Sequence, residues 1–251
     1  MSIETTVRLN KAISDSGFCS RREADKLIEQ GKVTVNGNSS VLGLKVTSSD
    51  IILIDGKPLN TPTSTVYMAF NKPRGITCTT ELKIQDNIID FIKFPQRIFP
   101  IGRLDKASEG LIFLTSDGNI VNKILRAGNN HEKEYIVTVN KPITEAFIKS
   151  MESGVPILDT VTKKCVVKRE SLFIFKIVLT QGLNRQIRRM CEYLGYDVVR
   201  LKRIRIMNIT LEGIETGKWR MFTDEELLKV QELVADSVKT EEASIGTKKT
   251  D

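Results

Sequence analysis

Several strand-like segments of this chain do not alternate regularly with helices. Residues 66–70, 133–139, 171–179 and 204–211 are each apolar or alternating over the length of a strand. In 133–139, Tyr135, Val137 and Val139 fall on one side of an extended chain. Only residues 185–194, which end at Gly195, and a segment opened by the capping box Thr223-Asp224-Glu225-Glu226 read as helices in this part. Such a pattern predicts an α+β domain with a mixed, largely antiparallel sheet over 66–233, rather than a doubly wound parallel one.

A smaller module precedes it, over 7–56. Val7, Leu9, Ala12, Ile13 and Ser16 follow a helical stripe that Gly17 ends. Ser20 and Glu23 form a capping box for a second helix, which Gly31 terminates. Val33-Thr34-Val35, the turn pair Asn36-Gly37 and 51–54 supply a small sheet. Residues 57–65 are Pro- and Thr-rich and read as a linker. From 234 to 251 apolar residues thin out, as in a disordered tail.

The formal net charge of +7 favours polyanionic partners. Arg8, Lys11, Arg21, Arg22, Lys26 and Lys32 gather on the two helices of the small module and the turn after them. Cations at the start of the second helix coincide with the positive end of its dipole, which reads as a phosphate-binding surface. The competing reading is a solvated helix face. No apolar run is long enough to cross a bilayer, and the N-terminus has no secretory pattern. The expectation is a cytoplasmic protein with reduced cysteines, no membrane partner and no structural zinc. A single histidine, no G-x-S-x-G, no G-x-G-x-x-G and no phosphate-binding loop disfavour serine hydrolase and nucleotide-cofactor chemistry.

Three candidates for chemistry remain. In Gly102-Arg103-Leu104-Asp105-Lys106 a carboxylate lies between two cations, which favour its ionised form and a nucleophilic role. The plain alternative is a surface turn residue. Tyr135 is either a half-buried sheet tyrosine or a ring that stacks on an extruded base. Arg185, Arg188 and Arg189 are spaced to share one helix face, where they serve phosphates, pair with a carboxylate or simply face solvent.

Two resemblances sharpen this. Arg8-Leu9-Asn10-Lys11, Cys19-Ser20-Arg21-Arg22-Glu23-Ala24 and Gly31-Lys32-Val33-Thr34-Val35-Asn36-Gly37 resemble the S4 RNA-binding domain. Asn71-Lys72-Pro73-Arg74-Gly75, Ile101-Gly102-Arg103-Leu104-Asp105 with Ser108-Glu109-Gly110-Leu111, Lys133-Glu134-Tyr135, and Gly182-Leu183-Asn184-Arg185-Gln186-Ile187-Arg188-Arg189-Met190 resemble, in order, the RsuA family of pseudouridine synthases. The resemblance implies uridine isomerisation in structured RNA without a cofactor. It makes Asp105 the catalytic carboxylate, Arg188 its partner and Tyr135 the ring that stacks on the flipped uracil. Arg103, Leu201, Arg185 and Arg189 become substrate-binding residues, with Leu201 as an apolar wall under the base. Arg126-Ala127-Gly128-Asn129 with His131-Glu132-Lys133-Glu134-Tyr135, and Gly182-Leu183-Asn184-Arg185, resemble within the family a branch acting on 23S rRNA and linked to a tyrosine tRNA anticodon uridine. A monomer is expected. The reading of a different class is a non-catalytic S4 protein that binds rRNA during assembly. An S4-linked methyltransferase is disfavoured by the missing glycine-rich fingerprint.

Overall fold

The computed structural model describes residues 6–60, 64–126, 130–235 and 237. The chain divides into two compact units. One gathers Met1–Val66 with Phe94–Ile98 and Ser116–Gly118, and the other takes the remainder.

In the first unit β1 (Val7–Arg8) leads into α1 (Leu9–Asp15), so Val7 begins in a strand paired with β4 (Lys45–Val46) instead of a helix. Ser16 caps α1 at its C-terminus, its hydroxyl bonded to Ile13 O, and Gly17 turns the chain with φ +83°. Helix α2 (Arg21–Glu29) starts with both halves of the expected capping box, Ser20 and Glu23. After it, β2 (Val33–Val35), β3 (Asn38–Ser39), β5 (Ile52–Ile54) and β6 (Lys57–Pro58) form a sheet in the order β3-β2-β5-β6. Both hairpin turns, Asn36-Gly37 and Asp55-Gly56, have two residues at positive φ, the geometry that follows the twist of the paired strands. The second turn corrects the sequence reading. Lys57-Pro58 pairs with β5 and Leu59 packs on the core of Leu9, Ile13, Ala24, Ile28, Val33, Val46 and Ile54, so the sheet extends into the segment read as a linker. Pro58 is tolerated because β6 is an edge strand. Residues 61–63 lie outside the described residues.

The second unit is built on β7 (Tyr67–Lys72), α3 (Ile88–Ile92), β8 (Phe99–Ile101), β9 (Glu109–Thr115), α4 (Gly118–Leu125), β10 (Lys133–Val139), α5 (Glu145–Ser153), β11 (Pro156–Ile157), β12 (Thr160–Val161), β13 (Val166–Arg169), β14 (Ile174–Leu179), α6 (Gln186–Tyr193), β15 (Val198–Ile206), β16 (Ile209–Thr210), β17 (Trp219–Met221) and α7 (Asp224–Val234). Its sheet runs β13-β14-β10-β15-β9-β7-β17, with β16 on β15 and β8 on β9. Every pairing is antiparallel except β15 with β9, which makes the sheet mixed and largely antiparallel, and the protein α+β.

The central strand β9 is buried at every position, as a strand covered on both faces must be. On one face Ala69, Leu111 and Phe113 pack with Ile120 and Ile124 of α4 and Val230 and Val234 of α7. Elsewhere in the unit Phe147 of α5 meets Phe175 of β14 edge-on at 5.4 Å. The segment 204–211, read as one strand, is a hairpin instead. Met207 takes φ +52° and the chain folds back at Met207-Asn208, while β15 extends upstream to Val198. Of the expected tail, Val234 belongs to α7, and residues 236 and 238–251 lie outside the described residues.

Candidate active site

The loop between β8 and β9 carries Asp105, and the surrounding elements hold it from three sides. Leu104 is buried and its N–H donates to Cys78 Sγ at 3.4 Å. Gly75 N–H donates to Lys106 O at 2.8 Å. Ser108 N–H donates to Asp105 O at 2.9 Å, closing a turn over residues 105–108. The Asp105 side chain stays 32% exposed, open to a substrate.

Its charge partners are not its sequence neighbours. Lys106 pairs with Asp86 at 3.2 Å, and Arg103 is exposed on the same loop. Asp105 Oδ2 instead lies 3.5 Å from Arg185 Nη1 and 3.6 Å from Arg188 Nε. Arg188, 14% exposed, also donates Nη1 to Val198 O and Nη2 to Ser108 Oγ, each at 3.1 Å. Burial lowers its pKa and Asp105 opposes that, while Arg185 and Arg74 lower it further.

The shared arginine face does not form. Arg185 is the N-cap of α6, in left-handed backbone at φ +50°, so it lies outside the helical register that would align it with Arg188 and Arg189. Arg189 folds back onto Asn184, donating to its backbone O at 3.1 Å and its Oδ1 at 3.3 Å. A Cβ on Gly182 would meet no protein atom within 4 Å.

Tyr135 stands in a transverse row of the sheet. On β10 it is opposite Arg203 of β15, Arg203 is opposite Gly110 of β9, and Gly110 is opposite Lys72 of β7. Opposed residues share a face, and this is the face away from the α4 and α7 core, because Gly110 and Lys72 alternate with Leu111 and Ala69. Tyr135 is 9% exposed, and the Arg203 guanidinium carbon lies 5.9 Å from its ring centroid. Leu201, two residues before Arg203, is buried opposite Val137, so it adjoins the Tyr135 row.

Three cations are buried around this row: Lys72, Arg203 and Lys133. Lys72 Nζ donates to Pro73 O and Ile76 O, both at 2.8 Å, Lys133 Nζ to His131 O at 3.1 Å, and Arg203 Nε to Leu111 O at 2.6 Å. Burial lowers the pKa of Lys72, with Cys78, Asp105 and Glu109 opposing the shift. Burial, and then the Arg203 charge, brings Lys133 down to about 8. A second carboxylate, Glu109, is buried four residues beyond Asp105, but Arg200 Nε engages it at 2.6 Å. That ion pair takes it away from the acid–base partnership a two-carboxylate glycosidase needs.

Sequence reasoning assigned no role to Ser108, Lys72, Glu109 or Arg203. Ser108, Lys72 and Glu109 entered only as residues of the family motifs; Arg203 left a trace of its own, since within 198–206 it keeps the same alternation as Leu201, which marks a charged residue on a buried face.

In the first unit Arg8, Arg21, Arg22, Lys26 and Lys32 are exposed. Lys11 forms an ion pair with Asp15, one turn along α1.

Comparison with known proteins fits both units. A family model described as RNA pseudouridylate synthase matches residues 66–193, and the S4 domain model matches 7–52. The dual-specificity RNA pseudouridine synthase RluF of Salmonella typhi is 57% identical over 239 residues, 94% of this chain and 83% of that protein. Ribosomal large subunit pseudouridine synthase B of Bacillus subtilis is 37% identical over 90% of this chain and 96% of its own. A pseudouridylate synthase crystal structure superposes with a TM-score of 0.66 at 28% identity, covering 89% of this chain and 99% of that one. Identity to enzymes along nearly the whole chain overturns the reading of a non-catalytic assembly protein. The Arg126–Asn129 motif cannot be placed, since residues 127–129 lie outside the described residues. With an S4 module ahead of a mixed sheet whose β8–β9 loop carries Asp105 and whose strand β10 carries Tyr135, and with Arg188 on α6 facing Asp105, the chain belongs to the RNA pseudouridine synthase family.

Proposed function

We propose that the protein isomerises a uridine of bacterial 23S rRNA, and a uridine in the anticodon of a tyrosine tRNA, with Asp105 as the catalytic carboxylate. The observation that carries the role of Asp105 is its setting: a part-exposed carboxylate on a pinned turn, faced by Arg185 and Arg188 from an element 80 residues on. Two RNA classes are supported by the name of the 57% relatives, which are dual-specificity enzymes, and the ribosomal target by the name of the B. subtilis relative.

In the reaction the N1–C1′ bond breaks, the base turns, C5 joins C1′, and the proton lost from C5 is balanced by one gained at N1. No water and no redox partner enters. Asp105 acts by one of three routes: attack on C1′, attack on C6, or removal of a sugar proton. Arg188 keeps the carboxylate aimed. Tyr135, backed by Arg203, stacks on the extruded uracil against Leu201, and Arg103 and Arg185 at the mouth hold the flipped nucleotide. Arg189, turned onto Asn184, braces the start of α6 beside them. The exposed cations of α2 and its flanks grip RNA phosphates. The enzyme acts as a cytoplasmic monomer.

The test uses RNA tritiated at uridine C5. The wild-type protein releases tritium from 23S rRNA fragments and from the tRNA, and Asp105→Asn slows release by roughly a thousandfold or more with RNA affinity retained. Turnover by Asp105→Asn would remove the carboxylate from the mechanism, and release from neither RNA would overturn the substrate assignment.

A further inference from the structure

Ser108 touches both halves of the Asp105–Arg188 pair. Its N–H closes the turn on Asp105 O, and its hydroxyl, on a residue only 1% exposed, accepts from Arg188 Nη2. Val198 O takes the Nη1 edge of the same guanidinium. Two of the three nitrogens of Arg188 are therefore tied to groups other than the carboxylate. The third, Nε, is buried without a hydrogen-bond acceptor and stops 3.6 Å from Asp105 Oδ2. An unrestrained guanidinium beside a carboxylate closes to about 2.7–2.9 Å and engages both oxygens.

We infer that Ser108 is a positioning residue: with Val198 O it holds Arg188 short of a closed ion pair, so that Asp105, whose Oδ2 takes a long 3.5 Å hydrogen bond from Arg185 Nη1, keeps positive charge nearby and Oδ1 free to react. The inference rests on Asp105 being the catalytic carboxylate. A carboxylate locked in a two-point pair is stabilised in the ground state, and every such contact must be broken or loosened before an oxygen can attack. A guanidinium held at a distance still favours the charged form without consuming the lone pairs. The buried, unsatisfied Nε has a cost, and it is the mark of a group held away from a partner it would otherwise take.

Ser108→Ala removes the acceptor that restrains Nη2, and Ser108→Thr keeps an Oγ at the same place. With enzyme in excess over C5-tritiated RNA, Ser108→Ala is expected to slow the single-turnover rate on the order of 10- to 100-fold while RNA affinity stays within about twofold. Ser108→Thr should recover most of that loss. In an Arg188→Lys background, where no fork remains to restrain, Ser108→Ala should add less than about twofold. A crystal structure of Ser108→Ala should show Arg188 closed on Asp105 to about 3 Å or less. An unchanged rate for Ser108→Ala, or the same loss in both backgrounds, would overturn the inference and leave Ser108 a packing residue. If Ser108→Ala loses its native near-UV circular dichroism, Ser108→Cys, a weaker acceptor at the same position, carries the same comparison. Turnover by Asp105→Asn would instead remove the reading beneath the inference. An inactive Asp105→Asn beside a fully active Ser108→Ala would overturn the inference alone.

Discussion

Gly110 sets the spacing of the row that holds Tyr135, Arg203 and Lys72. Its φ is +108°, and a Cβ there would lie 2.2 Å from the carbonyl oxygen of Arg203. That contact is with backbone, so relief requires β15 to move away from β9. Gly110→Ala should cost on the order of 3 kcal/mol or more, read as a lower urea midpoint. Gly75, at φ +91° but with nothing within 4 Å of its Cβ, provides the control. Gly75→Ala should cost only about 1–2 kcal/mol, from backbone strain alone. At this scale the sequence was a partial guide. Arg103 and Lys106 flank Asp105 in the chain, yet Lys106 faces Asp86 and the carboxylate is answered by Arg185 and Arg188. Sequence adjacency in a tight turn sends successive side chains in different directions. The Arg188 pairing was one of three readings the residues left open until family resemblance chose it, and Ser108, though it lies in a family motif, received no role because a buried hydroxyl leaves no periodic signal.

Among the elements, those written in local chemistry were legible. The capping box of α2, the Asn36-Gly37 turn and the strand 133–139 all depend on residues within a few positions of one another. Ser20→Ala should destabilise the first unit by about 1 kcal/mol, measured by thermal unfolding. Arg21 and Arg22 occupy the first two positions of α2, exposed at its positive end. Replacing either by Ala should weaken RNA binding and lower the slope of log affinity against log salt by about one. An unchanged slope in filter-binding titrations would take α2 out of the RNA contact. The elements that misled were the returning arms of short hairpins. Strand β6 exists because Asp55-Gly56 returns the chain to β5, and the hairpin at Met207-Asn208 depends on a left-handed methionine that no local propensity favours.

For the molecule as a whole, the fold class followed from the irregular spacing of strands, but the strand order did not. Alternation says that a segment pairs, without saying with what. The order matters most at β10-β15-β9-β7, which sets a row of cations inside the protein. Lys133 shows the energetic cost. Its folded pKa of about 8 lies below the ordinary 10.5, so between these values the unfolded chain binds more protons and stability rises with pH. Below pH 8 the penalty of the buried charge is fully present. Lys133→Met should therefore stabilise the protein at pH 7 by about 1–3 kcal/mol, with the gain shrinking as pH climbs toward 10.5, as urea unfolding at both ends would show.

The one parallel strand pairing among the described residues, β15 against β9, joins Lys202 and Arg203 to Glu109 and Gly110 across more than ninety residues of chain. Closing so long a stretch has an entropic cost that must be met before any native contact across it forms. The Asp105–Arg188 contact spans a similar stretch of chain, from the loop before β9 to α6, whereas Tyr135 meets Arg203 through the antiparallel β10–β15 pairing. A newly made chain can thus hold its S4 helices and local hairpins well before it can modify RNA. Competence arrives late in folding, with the seam between β9 and β15.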